Sequence, residues 1–194
     1  MAEVDFFTGY HGAGKTYTAN ALIEDGLNAG LVDCGPIIRR AFAESEVADF
    51  DEWVRQREIE SGVRWDDVLL LDRIKAATSS AAEAREHLFV VGNRNIDTID
   101  FLKEGLSDGE TDKILFFERP FAVIKHGYEM RTGETLTDDE FLYILHGDER
   151  KGLLSVREYV ISNPETNFVI SSDQYDHESI SLAKRAILRT RRKK

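Results

Sequence analysis

The stretch Gly9-Tyr-His-Gly-Ala-Gly-Lys-Thr16, GYHGAGKT, decides how the rest of the chain is read. Its spacing is G-x-x-x-x-G-K-[ST], and its flanks fit: the apolar run EVDFF (3–7) leads in, and KTYTANALIEDGL (15–27) leads out with helical spacing. A strand, a glycine turn and a helix in that order aim backbone N–H groups at one point. That point favours phosphate, because the amides and the helix dipole both attract an anion. Gly9, Tyr10, His11, Gly12, Ala13, Gly14, Lys15 and Thr16 are therefore expected to cradle a phosphate chain, with His11 shaping the loop. Lys15 would reach the β- and γ-phosphates and the Thr16 hydroxyl would bind Mg²⁺, so ATP with Mg²⁺ is the expected cofactor pair.

Working outward, four more short runs rich in Val, Ile, Leu or Phe read as strands: GLVDC (30–34), HLFVV (87–91), DKILFF (112–117) and NFVIS (167–171). Between them lie helical patterns, PIIRRAFAE (36–44), IDTIDFLKEGL (96–106) and DHESISLAKRAILR (176–189), the first with Pro36 placed for a first turn. Strands alternating with helices imply right-handed crossovers and a mainly parallel sheet. The expectation is a three-layer α/β fold of the P-loop type with about five parallel strands. Residues 44–87 are too many for one crossover and predict two or three helices over one end of the sheet. Residues 126–152 are polar and punctuated by glycine, which suits a mobile flap or lid before the last strand.

At 194 residues, 42% hydrophobic and 31% charged, the chain suits one domain spanning 1–194. No run approaches the 18 or so apolar residues of a membrane span, and the start lacks the basic and apolar regions of a signal peptide. Cys34, the lone cysteine, cannot form an internal disulfide, which suits a reducing compartment. A soluble cytoplasmic protein is expected. The net charge of −11 is uneven: residues 181–194 hold seven Lys or Arg and no acid, leaving −18 on the first 180. An acidic body repels a nucleic-acid backbone and a basic tail attracts one, so the tail reads either as a solvated helix end or as a nucleic-acid contact.

Phosphate binding alone does not choose among a kinase, a switch and a motor. A GTPase switch would carry N-K-x-D, and NRNID (93–97) has the wrong spacing. A motor-type ATPase would end an apolar strand in a metal-binding carboxylate, as VLLLDR (68–73) could. Yet Asp66 and Asp67 precede that run like helix-start residues and no breaker follows, so 65–86 reads as helix with Asp72 solvated.

The sequence resembles the nucleoside monophosphate kinase and dephospho-coenzyme A kinase group of P-loop kinases. LVDCGPIIRRAFAE (31–44) looks like that group's second strand and acceptor-side helix, and FVVGNRNIDTIDFL (89–102) like its third strand with a G-x-R turn. FFERPFAVIKHGYEMRTGE (116–134) resembles the fourth strand, a Pro-started helix and an arginine-bearing lid. LHGDERKGLLSVREYV (145–160) and FVISSD (168–173) resemble the lid's end and the fifth strand. The likeness implies that Arg131 is a catalytic lid arginine, that Arg39, Arg40 and Arg94 bind the acceptor, with one of Arg39 and Arg40 facing solvent, and that Arg150 is a second lid arginine. One departure stands out: relatives often end the third strand in Asp, whereas Val91 precedes Gly92 here. Metal binding must then lean on Thr16, water and Asp33.

Asp33 ends the second strand, on the side of a parallel sheet where ligands gather. A phosphate acceptor needs no base, but a hydroxyl acceptor does, and an aspartate in reach can take its proton. Asp33 therefore reads as catalytic base, metal ligand or helix N-cap. The placement resembles that in P-loop polynucleotide kinases and dephospho-coenzyme A kinases. The basic tail and compact size resemble bacteriophage kinases that phosphorylate 5-hydroxymethyl-deoxyuridine in DNA. That likeness implies a modified-DNA acceptor, with Phe42, Trp53 or Trp65 as candidates to stack an extruded base. The alternatives are a kinase acting on a free nucleotide or dephospho-coenzyme A, and a non-catalytic nucleotide-binding ATPase.

Overall fold

The computed structural model describes residues 2–61, 65–80, 85–107, 112–173 and 177–189. Strand β1 (Glu3–Gly9) runs into the glycine turn, and helix α1 (Lys15–Glu24) leaves it. Then follow β2 (Ala29–Asp33), α2 (Cys34–Ala43), α3 (Phe50–Ser61), α4 (Trp65–Ser80), β3 (His87–Val91), α5 (Ile96–Leu106) and β4 (Lys113–Glu118). The chain continues through α6 (Phe121–Thr132), α7 (Asp138–Arg150), α8 (Leu153–Ser162), β5 (Phe168–Ser171) and α9 (His177–Ile187). The five strands form one parallel sheet in the order β2-β3-β1-β4-β5. This is the expected α/β architecture, and all five apolar runs are strands. Asp112 and Asn167 just precede their strands, and Cys34 falls outside β2 because Asp33 caps a helix that begins one residue later.

β1 lies at the centre and is buried from Val4 to Gly9, as a strand covered on both faces must be. Its side chains alternate. Phe7 joins Phe89, Phe117, Leu22 of α1 and Ile187 of α9 on one face. Phe6 joins Val90, Phe116, Ile74 of α4, Ile99 of α5 and Val156 of α8 on the other. Two cores result, one per face, and the sheet is the middle of three layers.

One expectation changes, and a second gains detail. Residues 44–87 do hold two helices, but α4 lies on a face of the sheet rather than over its end, because Leu70 and Ile74 enter the second core. Residues 126–152 are helical apart from the link between α6 and α7 and the turn at 151–152. Thr137 and Glu140 form a capping box, Gly133 ends α6 in the left-handed region, and Ile124, Phe141 and Leu145 are buried. The polarity that suggested a flap belongs to the outward faces of these helices.

The aromatic candidates for base stacking divide. Trp53 is 2% exposed and packs against Phe42 and Phe50 at ring separations of 5.3 and 5.5 Å, so it is core. The Trp65 side chain and residues 190–194 of the basic tail lie outside the described residues. The approach to the tail is clear nonetheless. Lys184 pairs with Asp25 at the far end of α1, and Arg189 lies 5.7 Å over Phe168, the first residue of β5. The basic segment therefore leaves from the end of the sheet opposite the glycine turn. No described helix is long and apolar enough to cross a membrane.

Phe7 sits between Phe89 and Phe117, with ring centroids 4.9 and 5.4 Å away. Phe7→Ala should lower unfolding free energy by about 3–5 kcal/mol, read from the denaturation midpoint; a loss under about 1 kcal/mol would mean that this core does not hold the sheet together.

Candidate nucleotide and acceptor site

The carboxyl ends of β1, β2 and β3 meet at one edge, and the site is built there. Gly9 and Gly12 have φ of +136° and +80°. A Cβ on Gly12 would stand 1.9 Å from the Ile124 carbonyl oxygen of α6, and one on Gly9 2.5 Å from that of Phe117. The turn is thus glycine-bound because two other backbones press on it. Gly14 caps α1, so α1's free N–H groups open into a cleft of about 520 Å³. Lys15, Thr16, Asp33, Arg39, Arg94 and Arg131 line that cleft.

Lys15 is 8% exposed, and its Nζ donates to the carbonyls of Gly9 and Tyr10 at 2.9 and 2.7 Å. Burial pushes its pKa down to about 7, helped by the positive charges of Arg94 and Arg131. Thr16 Oγ1 donates to Asp33 Oδ2 at 3.1 Å, while Asp33 Oδ1 accepts from Gly35 N at 3.1 Å and caps α2. The cap and a place in the site are therefore compatible, one oxygen serving each. Asp33 also stands in register with Val91, so the carboxylate absent from the end of β3 is offered one strand away at the same level.

Thr16 and Asp33 present only oxygen donors, which fits a hard cation such as Mg²⁺. Among the described residues no group of three His, Cys, Asp or Glu side chains could hold a metal alone. A metal here would take its remaining ligands from phosphate and water.

A second cleft of about 480 Å³ opens beside the first. Arg39 and Arg94 line both; Lys151 and Asn95 add polar groups to the second, and Ile38, Phe50, Val54 and Leu70 form an apolar wall. Arg40 lies on neither cleft and is exposed, so of the paired arginines on α2 only Arg39 faces the site. Arg131 sits on the first cleft with its guanidinium 5.3 Å over Tyr128. Arg150 stacks instead on exposed Tyr143 at 5.6 Å and lines neither cleft.

Sequence reasoning missed Asp148. It is 1% exposed and gathers three partners: His11 N donates to it at 2.9 Å, His11 Nδ1 lies 2.9 Å away, and Arg94 Nε pairs with it at 2.9 Å. His11 Nε2 in turn lies 2.9 Å from Arg94 Nη2. A carboxylate only accepts, so Nδ1 carries the imidazole hydrogen and Nε2 accepts from Arg94. Burial and then the charge of Arg94 push the His11 pKa down to about 4, which keeps the ring neutral, although its bond to Asp148 works the other way. For Asp148 burial raises the pKa, but the bonds from His11 and the charge of Arg94 outweigh it and hold the carboxyl below its usual range. A sequence signal did exist. Phe141, Leu145 and Asp148 are spaced i, i+4, i+7, which places an acid on the apolar stripe of α7. Cys34 is buried, and its thiol is pushed up to about 12 by burial and the nearby Asp33 charge, so it is a packing residue.

No protein-family model and no curated protein matches this chain. Solved structures do match. A gluconokinase from Sinorhizobium meliloti is 16% identical over 96% of this chain and 89% of its own, with TM-score 0.54. A shikimate kinase from Bacteroides thetaiotaomicron is 20% identical over 94% and 95%, with TM-score 0.53. The tunicamycin resistance protein of Deinococcus radiodurans is 15% identical over 96% and 94%, with TM-score 0.55. At these identities the likeness shows the fold alone, a five-stranded all-parallel sheet flanked by helices.

Because burial holds Lys15 near pKa 7, a triphosphate placed beside it should restore the ammonium and draw a proton from solution. Uptake should approach about one proton at pH 8–9 and fade towards pH 6, where the amine is already charged. Calorimetry in buffers of different ionisation enthalpy measures it; ATP binding at pH 8.5 without proton uptake would contradict the assignment.

Proposed function

We propose that this protein is an ATP-dependent phosphotransferase acting on a hydroxyl group. The observation that carries the reading is the Thr16–Asp33 hydrogen bond, which holds a carboxylate beside the phosphate loop on the wall of the first cleft. The loop amides and Lys15 would bind the triphosphate, and Mg²⁺ on Thr16 would offset charge on the β- and γ-phosphates. Asp33 takes the acceptor's hydroxyl proton as the acceptor oxygen bonds to the γ-phosphorus. The bond from that phosphorus to the β-phosphate oxygen breaks, and ADP leaves. Arg94 and Arg131 both line the cleft and would stabilise charge on the phosphoryl oxygens in transit.

Arg39 and Lys151 beside an apolar wall suit a small acceptor that carries an anionic group on a partly apolar body. The kinases among the structural neighbours are named for small acceptors, which agrees with that scale. Transfer to a hydroxymethyl base within DNA is the second reading, resting on the charge of residues 181–194. Geometry favours the small acceptor, because that segment leaves from the opposite end of the sheet and Trp53 is enclosed.

The test is transfer of labelled γ-phosphate to free nucleotides, sugar acids, dephospho-coenzyme A and hydroxymethyluracil DNA. Label should reach a small anionic alcohol, and Asp33→Asn should cut kcat about 10²–10⁴-fold with the KM for ATP little changed. Label on DNA alone would favour the second reading. No label on any acceptor, or full activity in Asp33→Asn, would overturn the mechanism.

A further inference from the structure

Arg94 is the one long cation among the described residues that lines both clefts while being fastened on three sides. Its own loop is pinned first: Gly92 N donates to Phe7 O at 3.1 Å, Thr8 Oγ1 donates to Asn93 O at 2.6 Å, and the Asn95 side chain caps α5. The guanidinium is then held by two groups from elsewhere in the chain. Nε pairs with Asp148 of α7, and Nη2 donates to His11 of the phosphate loop. His11 is itself held by Asp148 through both its backbone N–H and its ring. These bonds close a triangle of carboxylate, imidazole and guanidinium across three separate segments. Nη1 has no place in that triangle, and it belongs to a side chain that lines both clefts.

We infer that Asp148 and His11 are positioning residues whose task is to fix the Arg94 guanidinium where the two clefts join, on the path of the transferred phosphoryl group. The inference rests on the phosphotransferase reading and adds a regulator to it. A flexible arginine must be ordered during the reaction, whereas one already ion-paired with Asp148 and hydrogen-bonded at Nη2 brings its remaining N–H groups at a lower cost. The triangle also makes α7 part of the device. Tyr10 OH donates to Glu149 Oε1 at 2.9 Å, so consecutive carboxylates of α7 grip consecutive residues of the phosphate loop. Any displacement of the end of α7 therefore moves Arg94 and the loop together.

The experiment is a double-mutant cycle on the full chain with Asp148→Asn, Arg94→Lys and the pair, read as kcat and KM. Each single change should lower kcat about 10–100-fold while the KM for ATP stays within about threefold, and the pair should be no slower than the worse single. His11→Gln, whose amide can both donate and accept, should retain more activity than His11→Ala. Losses that multiply, a rise in the KM for ATP at unchanged kcat, or equal activity in the two His11 variants would overturn the inference. If Asp148→Asn melts below the assay temperature, the comparison of the His11 variants decides. If the wild type phosphorylates nothing, the functional reading fails by itself. The triangle is then judged by the ¹⁵N shifts of His11: a proton on Nδ1 that Asp148→Asn displaces upholds it, and a tautomer indifferent to Asp148 overturns it.

Discussion

The parallel pairing of β1 between β3 and β4 is the constraint on which the rest depends. Parallel strands end on the same side, so the ladder from Asp33↔Val91 to Phe7↔Val91 and Gly9↔Phe117 brings three loops to one edge. No loop could do the chemistry alone. The loop after β1 and the start of α1 supply amides and Lys15, the last residue of β2 is Asp33, and the turn after β3 supplies Arg94. Apolar burial on both faces fixes their height relative to one another, because a slip of one residue would turn Phe6 and Phe7 into the wrong cores.

Charge at that edge is managed by geometry more than by quantity. The chain is acidic overall, yet Lys15, Arg39, Arg94 and Arg131 converge on one cleft. Close cations repel one another, and burial removes the water that would screen them. Asp148 answers part of this by pairing with Arg94, and Asp33 is the acid that lines the cleft itself. The site is therefore preset for an anion without collapsing under its own repulsion.

Much of the architecture was legible in the chain because strands covered on both faces are written as near-continuous apolar runs, as in LFVV (88–91) and ILFF (114–117), and EVDFF departs from this only at Glu3 and Asp5. The strand, glycine turn and helix at 3–24 were legible because the glycine spacing and its flanks have few other uses. The helices of residues 126–152 were not, since their apolar residues are sparse and Gly127 and Gly147 sit within them. Asp33 could be placed but not resolved among its roles, because capping and catalysis both select an aspartate at that point. Asp148 was hidden for another reason: its partners His11 and Arg94 lie far away in sequence, and only the closed fold makes a charged residue on an apolar stripe reasonable.

The positions marked x in the phosphate-loop pattern are commonly treated as interchangeable, but in this protein two of them are committed. Tyr10 and His11 carry the side chains that α7 holds. Grafting a loop from another nucleotide-binding protein would keep every glycine and the lysine, yet leave Asp148 buried beside an incomplete set of partners. Arg94 and the backbone N–H at position 11 would remain, but losing the imidazole from a buried carboxylate costs about 1–3 kcal/mol, so such a chimera would lose stability while its signature motif read as intact.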